Sequence, residues 1–458
     1  MIQIVLLCDS NCFTTGFHSL FSAIRIDTYV LNMMKTKIQW IVIVVAFLPM
    51  LLLRDFTPDN EGRYLAIADE ALRSGHFFSF VWDGQPYADK PPLYLWLVML
   101  SRVIWGQHSM FALSLLSFIP AIGISSLMDQ WTHKELPENF RRLATLMLFT
   151  TVYFMGPALV VRMDMLMCLF IVLALRSFWR LYTGHAKPSE QWLLGIWLFL
   201  ALFTKGPLGI LLPLISIIVY IGWQRRWHDI GKFLNWRTWI VIILGCTVWF
   251  ALTYREAGVD YLYNLVFHQT VDRGINSFHH ARPFYYYLIS IWYMWLPWSL
   301  LCVVGIVVTL VHKERKSDTQ TFFLCVALTT ILLLSFISSK LQIYLLPAFP
   351  FVIYFTAYVI KTYDGKRWII WMLAIPELIF ALTLPALFVV RSLIDVSTLS
   401  EPIVLAAVTV LSLFSIASLF KLMRHKSLLQ SASVLGYGVL STLAILGLGM
   451  PILNQYIT

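Results

Sequence analysis

Residues 54–93 form one long polar stretch and read RDFTPDNEGRYLAIADEALRSGHFFSFVWDGQPYADKPPL. Seven of the 24 acidic residues of the chain lie in this stretch. It follows directly after a hydrophobic run, residues 38–53, in a chain that is otherwise very apolar. Because charged side chains are costly in lipid, the stretch is predicted to be a water-facing loop that carries the chemistry.

The apolar runs around this loop predict membrane-spanning α-helices. The chain is 59% hydrophobic and 13% charged, whereas soluble domains carry about 25% charged residues. The runs are continuous and approach the roughly 17–25 residues that span a bilayer, which favours helices over barrel strands. They cover residues 38–53, 111–128, 163–181, 207–223, 291–311, 369–390 and 403–420. The predicted fold class is an all-α polytopic membrane protein.

Basic residues set the predicted topology. The formal net charge of +10 does not require nucleic-acid binding, because lysine and arginine concentrate in the cytoplasmic loops of membrane proteins. The basic loop 129–142 lies inside only if the short apolar segment 91–105 does not cross. That segment is therefore predicted to be an interfacial helix. Alternation along the chain then gives about thirteen spans, with the amino terminus inside and the carboxyl terminus outside.

The chain divides into three predicted parts. Residues 1–33 lack the basic start and the cleavage site of a signal peptide, and we expect an over-extended or disordered amino terminus there. Residues 34–350 form the predicted core, with outer loops at 54–108 and 255–286, and residues 351–458 add carboxyl-terminal helices. No metal-binding spacing of cysteines is present, and His279-His280 lacks the i,i+4 spacing of helical metal ligands.

Seven basic residues are predicted to lie outside the cytoplasm, against the preference of lysine and arginine for the inside. They are Arg63, Lys90, Arg162, Lys205, Arg273, Arg282 and Lys340. Charges at the membrane edge that oppose the bias are candidates for function. Any single one can instead snorkel to the headgroups or pair structurally. Their concentration on one face favours a shared anion-binding site.

Two motifs of the polar stretch support such a site. Thr57-Pro58 opens a short amphipathic helix whose first turn carries Asp59 and Glu61, either for chemistry or to complement the helix dipole. Lys90 precedes a diproline, which holds the lysine beside a helix start at headgroup depth, where a phosphate would bind. The alternative for Lys90 is an ordinary snorkelling lysine.

Five motifs, in order, carry a family resemblance. They are Asn60-Glu61-Gly62-Arg63-Tyr64, Asp89-Lys90-Pro91-Pro92-Leu93, Arg162-Met163-Asp164, Thr204-Lys205-Gly206-Pro207, and Lys340 with Tyr344-Leu345-Leu346-Pro347. Over residues 35–350 the chain resembles the protein O-mannosyltransferase and lipid A 4-amino-4-deoxy-L-arabinose transferase (ArnT-like) family of GT-C membrane glycosyltransferases. Asn60 departs from the family pattern, which has an aspartate there, and Gln269-Thr270 departs from a Glu-His pair.

The resemblance implies inverting transfer of a sugar from a polyprenyl-phosphate donor to a lipid (lipid A-like), glycan or protein acceptor. It implies an extracytoplasmic site in a bacterial inner membrane, without a cofactor and without nucleic acid; a divalent cation is the alternative. The implied catalytic residues are Glu61 or Asp59 as base and Asp164 as second carboxylate. The implied substrate-binding residues are Arg63, Tyr64, Tyr87, Lys90, Arg162, Lys205, Arg273, Lys340 and Tyr344.

Two other functions stay open at this point. A transporter or lipid flippase would carry ionisable residues near the centres of several spans. Here the centres of the predicted spans are almost uncharged apart from Glu377. A non-catalytic homologue is the second alternative, because Asn60 cannot act as a base.

Overall fold

The computed structural model describes residues 35–267, 282–312, 316–394 and 396–456. Apart from one two-stranded hairpin, the regular structure in these ranges is helical. The helices are α1 Lys35–Leu53, α2 Arg63–Ser74, α3 Leu93–Trp105, α4 Met110–Thr132, α5 Glu138–Thr150, α6 Val152–Met155, α7 Asp164–Tyr182, α8 Glu190–Lys205, α9 Leu208–Trp223, α10 Ile230–Phe233, α11 Trp236–Tyr263, α12 Tyr286–Met294, α13 Ser299–Val311, α14 Asp318–Phe336, α15 Phe349–Tyr363, α16 Arg367–Ala381, α17 Thr383–Leu393, α18 Pro402–His425, α19 Leu428–Leu448 and α20 Met450–Leu453.

Within the described ranges, eight helices are long and apolar enough to cross a membrane, and nine if one bent pair counts as a single span. Three shorter apolar helices, α3, α9 and α13, accompany them. The all-α polytopic fold class is therefore confirmed. The number of about thirteen spans and the orientation of the bundle in the membrane stay predictions.

Two predicted continuous spans are interrupted in the structure. The apolar run 291–311 is divided between α12 and α13, with a break that contains Pro297, a residue without a backbone N–H to donate. The run 369–390 bends by 45° between α16 and α17. At that bend the N–H of Leu384 is donated to the hydroxyl of Ser412 at 3.1 Å. A continuous apolar run therefore did not predict a continuous helix at either place.

The predicted inside loops lie together at one end of the bundle. The Glu135 carboxylate accepts hydrogen bonds from the hydroxyls of Ser317 (2.6 Å) and Tyr358 (3.1 Å), and its carbonyl accepts one from Lys361 (3.0 Å). At the other end, the side-chain amide of Asn454 donates to the carbonyl of Leu53 at 2.9 Å, which brings the carboxyl-terminal region beside the polar loop. Three of the predicted inside loops thus meet at one end of the bundle, and the assignment of that end to the cytoplasm stays a prediction.

The outer loop is built from α2, a hairpin and α3. A π-helical turn, Pro58–Gly62, leads into α2, which buries its apolar face. The hairpin pairs Val81–Trp82 with Gln85–Pro86. Helix α3 buries Tyr94, Leu95 and Val98 and exposes the side chains of its last turn, as a helix that lies at a lipid interface does.

Topology gives the first testable prediction. In a cysteine-free background, Gln107→Cys in the outer loop should react in intact cells with a membrane-impermeant thiol reagent, whereas Asn139→Cys, at the end that holds Glu135, should react only after permeabilisation. The exposed side chains of both residues make reaction in the permeabilised state the internal control. Labelling of Asn139→Cys in intact cells would invert or reject the predicted orientation.

Candidate active site

A buried carboxylate at the start of α7 organises the charges at the outer end of the bundle. Asp164 is only 1% exposed. One of its oxygens contacts the ammonium of Lys205, the last residue of α8, and the other accepts a hydrogen bond from Nε of Arg162 at 3.2 Å. The motifs Arg162-Met163-Asp164 and Thr204-Lys205-Gly206 therefore meet in space, although 41 residues separate Asp164 from Lys205.

The lysines of the second and fourth motifs, Lys90 and Lys205, face the same cavity. The Lys205 ammonium lies 4.4 Å from the ring centroid of Tyr344, a cation–π distance. The Lys90 ammonium pairs with Asp89 at 3.1 Å, and the phenol of Tyr87 donates to the same carboxylate at 3.3 Å. The two ion-paired groups together contain three cations, Lys90, Arg162 and Lys205, and two carboxylates, Asp89 and Asp164. Their net charge is +1.

This cavity has both polar and apolar lining residues. Its volume is about 380 Å³. The polar lining consists of Asp89, Lys90, Lys205, Ser339 and Tyr344. The apolar lining consists of Pro91, Leu202, Pro207, Leu208, Leu211, Trp249, Phe250, Leu265, Val266 and Ile337. We call it the lysine cavity; such a lining suits an anionic headgroup with a hydrocarbon tail.

A second cavity, of about 480 Å³, lies on the Arg162 side of the network. Its polar lining is Thr57, Asn60, Glu61, Tyr153, Arg162 and Gln342. We call it the Asn60 cavity. Because Lys205 lines the first cavity, Arg162 lines the second, and both contact Asp164, the carboxylate holds together the cations of two adjacent cavities.

Glu61 is fully occupied as a hydrogen-bond acceptor. Its side chain is 1% exposed, and the two guanidinium nitrogens of Arg54 donate to it at 2.7 and 2.8 Å. The backbone N–H groups of Val161 (2.6 Å) and Thr57 (2.8 Å) donate to it as well. Burial by itself raises the pKa of Glu61, but the hydrogen bond and charge of Arg54 and these N–H groups outweigh burial and hold the pKa below its ordinary value of 4.5.

These contacts disfavour Glu61 as the catalytic base, and the choice between Glu61 and Asp59 stays a prediction. A carboxylate that is paired bidentately and has a lowered pKa is a poor proton acceptor. The Arg54–Glu61 pair holds two segments together, because Arg54 also donates to the carbonyl of Leu159 at 3.2 Å and so joins the polar loop to the segment before α7. We call this pair the latch. Asn60 lines its cavity but has no basic group, and the side chain of Asp59 lies outside the described part of the chain.

Three other predicted substrate-binding residues do not line the lysine cavity within the described ranges. Two of them lie elsewhere, and the third is outside those ranges. Lys340 is buried, and its ammonium donates to the carbonyl of Arg282 at 3.0 Å instead of facing the lysine cavity. Arg63 lines neither cavity and stacks between the rings of Tyr64 and Trp82. Arg273 belongs to residues 268–281, which are outside the described ranges and form the middle of the second predicted outer loop.

Tyr64 and Tyr87 do lie at the site. Both are buried, and burial raises the pKa of each phenol, so both stay protonated hydrogen-bond donors near neutral pH. Tyr64 stands among Arg63, Arg162, Asp164 and Asp89, whose charges all act on it.

The sequence interpretation missed Arg54 and Trp82. A signal for Arg54 was available, because an arginine at the outer end of the first span also opposes the inside bias. Trp82 carried no such signal, because only the hairpin brings it to Arg63. Among the described residues, no group of three histidine, cysteine, aspartate or glutamate side chains is placed to hold a metal ion. The absence of a required metal stays a prediction.

The latch gives the second prediction. Glu61→Gln keeps the side-chain size but leaves the Arg54 guanidinium buried without its counter-charge, which typically costs about 3–5 kcal/mol. We expect a clearly lower thermal unfolding midpoint in detergent. Glu70→Gln is the matched control, because the Glu70–Arg73 pair is exposed and worth about 0–1 kcal/mol. Equal midpoints for both variants would contradict the latch.

The same pair predicts a pH dependence. Because the pKa of Glu61 is lower in the folded than in the unfolded chain, its stabilisation is complete above about pH 4.5 and is lost as the pH falls through the lowered pKa. On acidification below pH 4.5, the unfolding midpoint of the wild type should approach that of Glu61→Gln. A constant difference between the two midpoints over this range would contradict the lowered pKa.

The chain is similar in sequence to a known protein family and to several named proteins. The family described as dolichyl-phosphate-mannose-protein mannosyltransferase matches residues 48–263. The undecaprenyl phosphate-alpha-4-amino-4-deoxy-L-arabinose arabinosyl transferase of Shewanella sediminis is 26% identical over 72% of this chain and 62% of its own length. The protein of the same name from Pseudomonas savastanoi pv. phaseolicola is 30% identical over 63% of this chain and 54% of its own length. The matched regions thus span between about half and three-fifths of these relatives.

Solved structures support the same fold. The crystal structure of ArnT from Cupriavidus metallidurans bound to undecaprenyl phosphate has a TM-score of 0.77 at 19% sequence identity. The likeness covers 94% of this chain and 78% of that chain. By its motifs and by these similarities in sequence, the chain resembles the ArnT-like branch of the GT-C membrane glycosyltransferases, the group that also includes the protein mannosyltransferases, and it shares the fold of the solved ArnT structure.

Proposed function

We propose that this protein is an inverting glycosyltransferase that moves a sugar from a polyprenyl-phosphate donor to an acceptor at the outer face of a bacterial inner membrane. The observation that carries the proposal is the lysine cavity, whose lining combines Lys90 and Lys205 with many apolar side chains. Two ammonium groups match a phosphate, and the apolar wall matches the first isoprene units of a lipid tail.

The names of the relatives narrow the choice of a donor substrate to test. The two relatives described above are named for undecaprenyl phosphate and 4-amino-4-deoxy-L-arabinose, and the ArnT crystal structure holds undecaprenyl phosphate. We propose undecaprenyl-phosphate 4-amino-4-deoxy-L-arabinose as the first donor to test. The acceptor belongs to the same proposal: a lipid, glycan or protein group that enters through the Asn60 cavity.

The proposed reaction breaks the bond between the anomeric carbon and the phosphate oxygen. Positive charge develops on the anomeric carbon, and the departing phosphate gains negative charge. Lys90 and Lys205 stabilise that phosphate, and their effect is strong because the site is partly shielded from water. An acceptor oxygen approaches from the opposite side and forms the new bond with inversion. No nucleotide or redox cofactor is required by this balance of charge.

Asp164 acts in this proposal by orientation. Its two oxygens hold Lys205 toward the donor cavity and Arg162 toward the acceptor cavity. With Glu61 occupied by Arg54 and an asparagine at position 60, no free carboxylate among the described residues faces the Asn60 cavity. An acceptor oxygen that is already ionised, as on a phosphate, needs no base, so this acceptor chemistry fits the site best.

A transporter has less support than an enzyme. Glu377, a carboxylate near the centre of a predicted span, accepts hydrogen bonds from Ser418 (2.5 Å) and Ser431 (2.6 Å). These contacts join α16, α18 and α19, which favours a structural role for Glu377 over a place on a transport path.

The lysine cavity gives the fourth prediction. Lys90→Ala and Lys205→Ala should each lower transfer from the polyprenyl-phosphate sugar by roughly 10²–10³, because each removes a charge that stabilises the leaving phosphate. The measurement is product formation by the purified protein in detergent with a synthetic donor. Lys134→Ala, an exposed lysine at the opposite end of the bundle, is the matched control and should keep full activity.

Two outcomes would contradict the proposed function. Full transfer by Lys90→Ala or Lys205→Ala would show that the lysine cavity does not hold the donor phosphate. Absence of sugar transfer by a wild type that is shown to be folded by a cooperative unfolding transition in detergent would reject glycosyl transfer from this donor class.

A further inference from the structure

We infer that Glu377 is a neutral carboxylic acid whose proton completes a hydrogen-bonded joint between α16, α18 and α19, so that the attachment of these helices depends on one buried proton. The joint consists of Glu377, Ser418 and Ser431, and we call it the glutamate–serine joint. The inference goes beyond the proposed function and does not depend on it, because none of the three residues lines the lysine cavity or the Asn60 cavity.

The three side chains of the glutamate–serine joint are fully buried. The Oε1 atom of Glu377 lies 2.5 Å from Oγ of Ser418 on α18 and 2.6 Å from Oγ of Ser431 on α19. Each Oγ atom also contacts the backbone carbonyl of the other serine, at 2.7 Å from Ser418 and 2.8 Å from Ser431. The two Oγ atoms are 2.9 Å apart. The joint therefore contains five oxygen–oxygen contacts of hydrogen-bond length.

The number of protons in the joint indicates the charge of Glu377. Each serine hydroxyl has one proton to donate, and an ionised carboxylate has none. With an ionised Glu377, two protons would serve five contacts, and three of these contacts would bring lone pairs together without a proton between them. A neutral acid supplies a third proton, which Oε1 donates to Ser418. The hydroxyls of Ser418 and Ser431 are then free to donate to each other's carbonyls.

The two carboxyl oxygens of Glu377 differ in the way that a neutral acid requires. Oε1 makes both serine contacts, whereas Oε2 is buried and has no hydrogen-bond partner among the described residues. In a carboxylate, Oε2 would share the negative charge, and burying it without a partner would be very costly. In a neutral acid, Oε2 is an uncharged carbonyl oxygen, and its burial costs less.

No cation compensates Glu377 in the described part of the chain. Helices α13, α17, α18 and α19 pack against α16. The basic and titratable residues of these five helices, besides Glu377, are Cys302, Arg367, Arg391, Lys421, Arg424, His425 and Tyr437. Apart from His425, whose side chain lies outside the description, none of them contacts a carboxyl oxygen of Glu377. An ionised Glu377 would therefore lack a counter-charge among these groups.

The joint makes the contact between these helices sensitive to pH. Loss of the proton would leave a buried charge without a counter-charge, which would weaken the attachment of α16 to α18 and α19. Helix α19 leads to Asn454, which binds the backbone on both sides of Arg54. The proton on Glu377 thus helps to hold the part of the chain that contacts the polar loop.

Infrared spectroscopy gives the direct test. A protonated carboxylic acid has a carbonyl stretching band that is separate from the bands of carboxylates and peptide groups. The full chain is measured in detergent at neutral pH. Glu377→Gln should lose an acid band that the wild type shows, whereas Glu70→Gln, the matched control at an exposed ion pair, should keep it. An acid band of equal intensity in the wild type and Glu377→Gln would overturn the inference.

The pH dependence of unfolding is the second test. The folded chain holds a proton on Glu377 that an unfolded glutamate releases above about pH 4.3, so folding takes up one proton and a higher pH disfavours it. Between about pH 6 and pH 8, the folded-to-unfolded ratio of the wild type should fall by about tenfold per pH unit relative to that of Glu377→Gln. Denaturant unfolding in detergent measures both ratios. A relative ratio that stays constant or rises with pH would contradict a buried proton on Glu377.

A second variant keeps the test decisive if Glu377→Gln does not fold. Ser418→Ala retains the acid but removes one of its hydrogen-bond partners, so the acid band should remain and change its position. Absence of an acid band from both the wild type and Ser418→Ala would overturn the inference. Sugar transfer by the wild type is measured separately: if the acid band is present and transfer is absent, the proposed function alone fails.

Discussion

A single buried carboxylate, Asp164, determines how the outer end of this bundle is arranged. Lys205 and Arg162 come from different motifs, and both would be costly to bury without a counter-charge. Asp164 supplies that charge to both and thereby turns one cation toward each of two cavities. The start of α7, the end of α8 and the walls of both cavities therefore depend on this one contact network.

The Arg54–Glu61 pair fixes the position of the polar loop in a similar way. The loop leaves the membrane directly after α1 and would be free to swing if only its surface helix held it. Because Glu61 accepts from Arg54, Thr57 and Val161, the loop is tied to the segment that leads into Asp164. Asn454, near the carboxyl end of the chain, also binds the backbone on both sides of Arg54. The carboxyl-terminal helices thus contribute to the position of the loop, although the recognised motifs end near residue 350.

Much of the site was predictable because its residues oppose the general charge pattern of a membrane protein. Lys90, Arg162, Asp164, Lys205 and Tyr344 were selected from the sequence, and the structure brings them together around the two cavities. The same reasoning selected Lys340 and Glu61, whose side chains are occupied by a carbonyl and by Arg54. A charge that opposes the general pattern needs a partner, but the pattern does not predict which partner it takes.

The sequence by itself determined the class of this protein. Long continuous apolar runs require helices in lipid, basic loops sort the two ends, and a polar loop with seven acidic residues has to lie in water. Only the tertiary structure decided which charges are free to act. Pairing between residues far apart in the chain depends on side-chain direction and burial. Glu61 forms an ion pair with Arg54, whereas Arg63 has no ion pair among the described residues. That choice is made by packing, because in a low-dielectric site each charge is stabilised chiefly by the groups in direct contact with it.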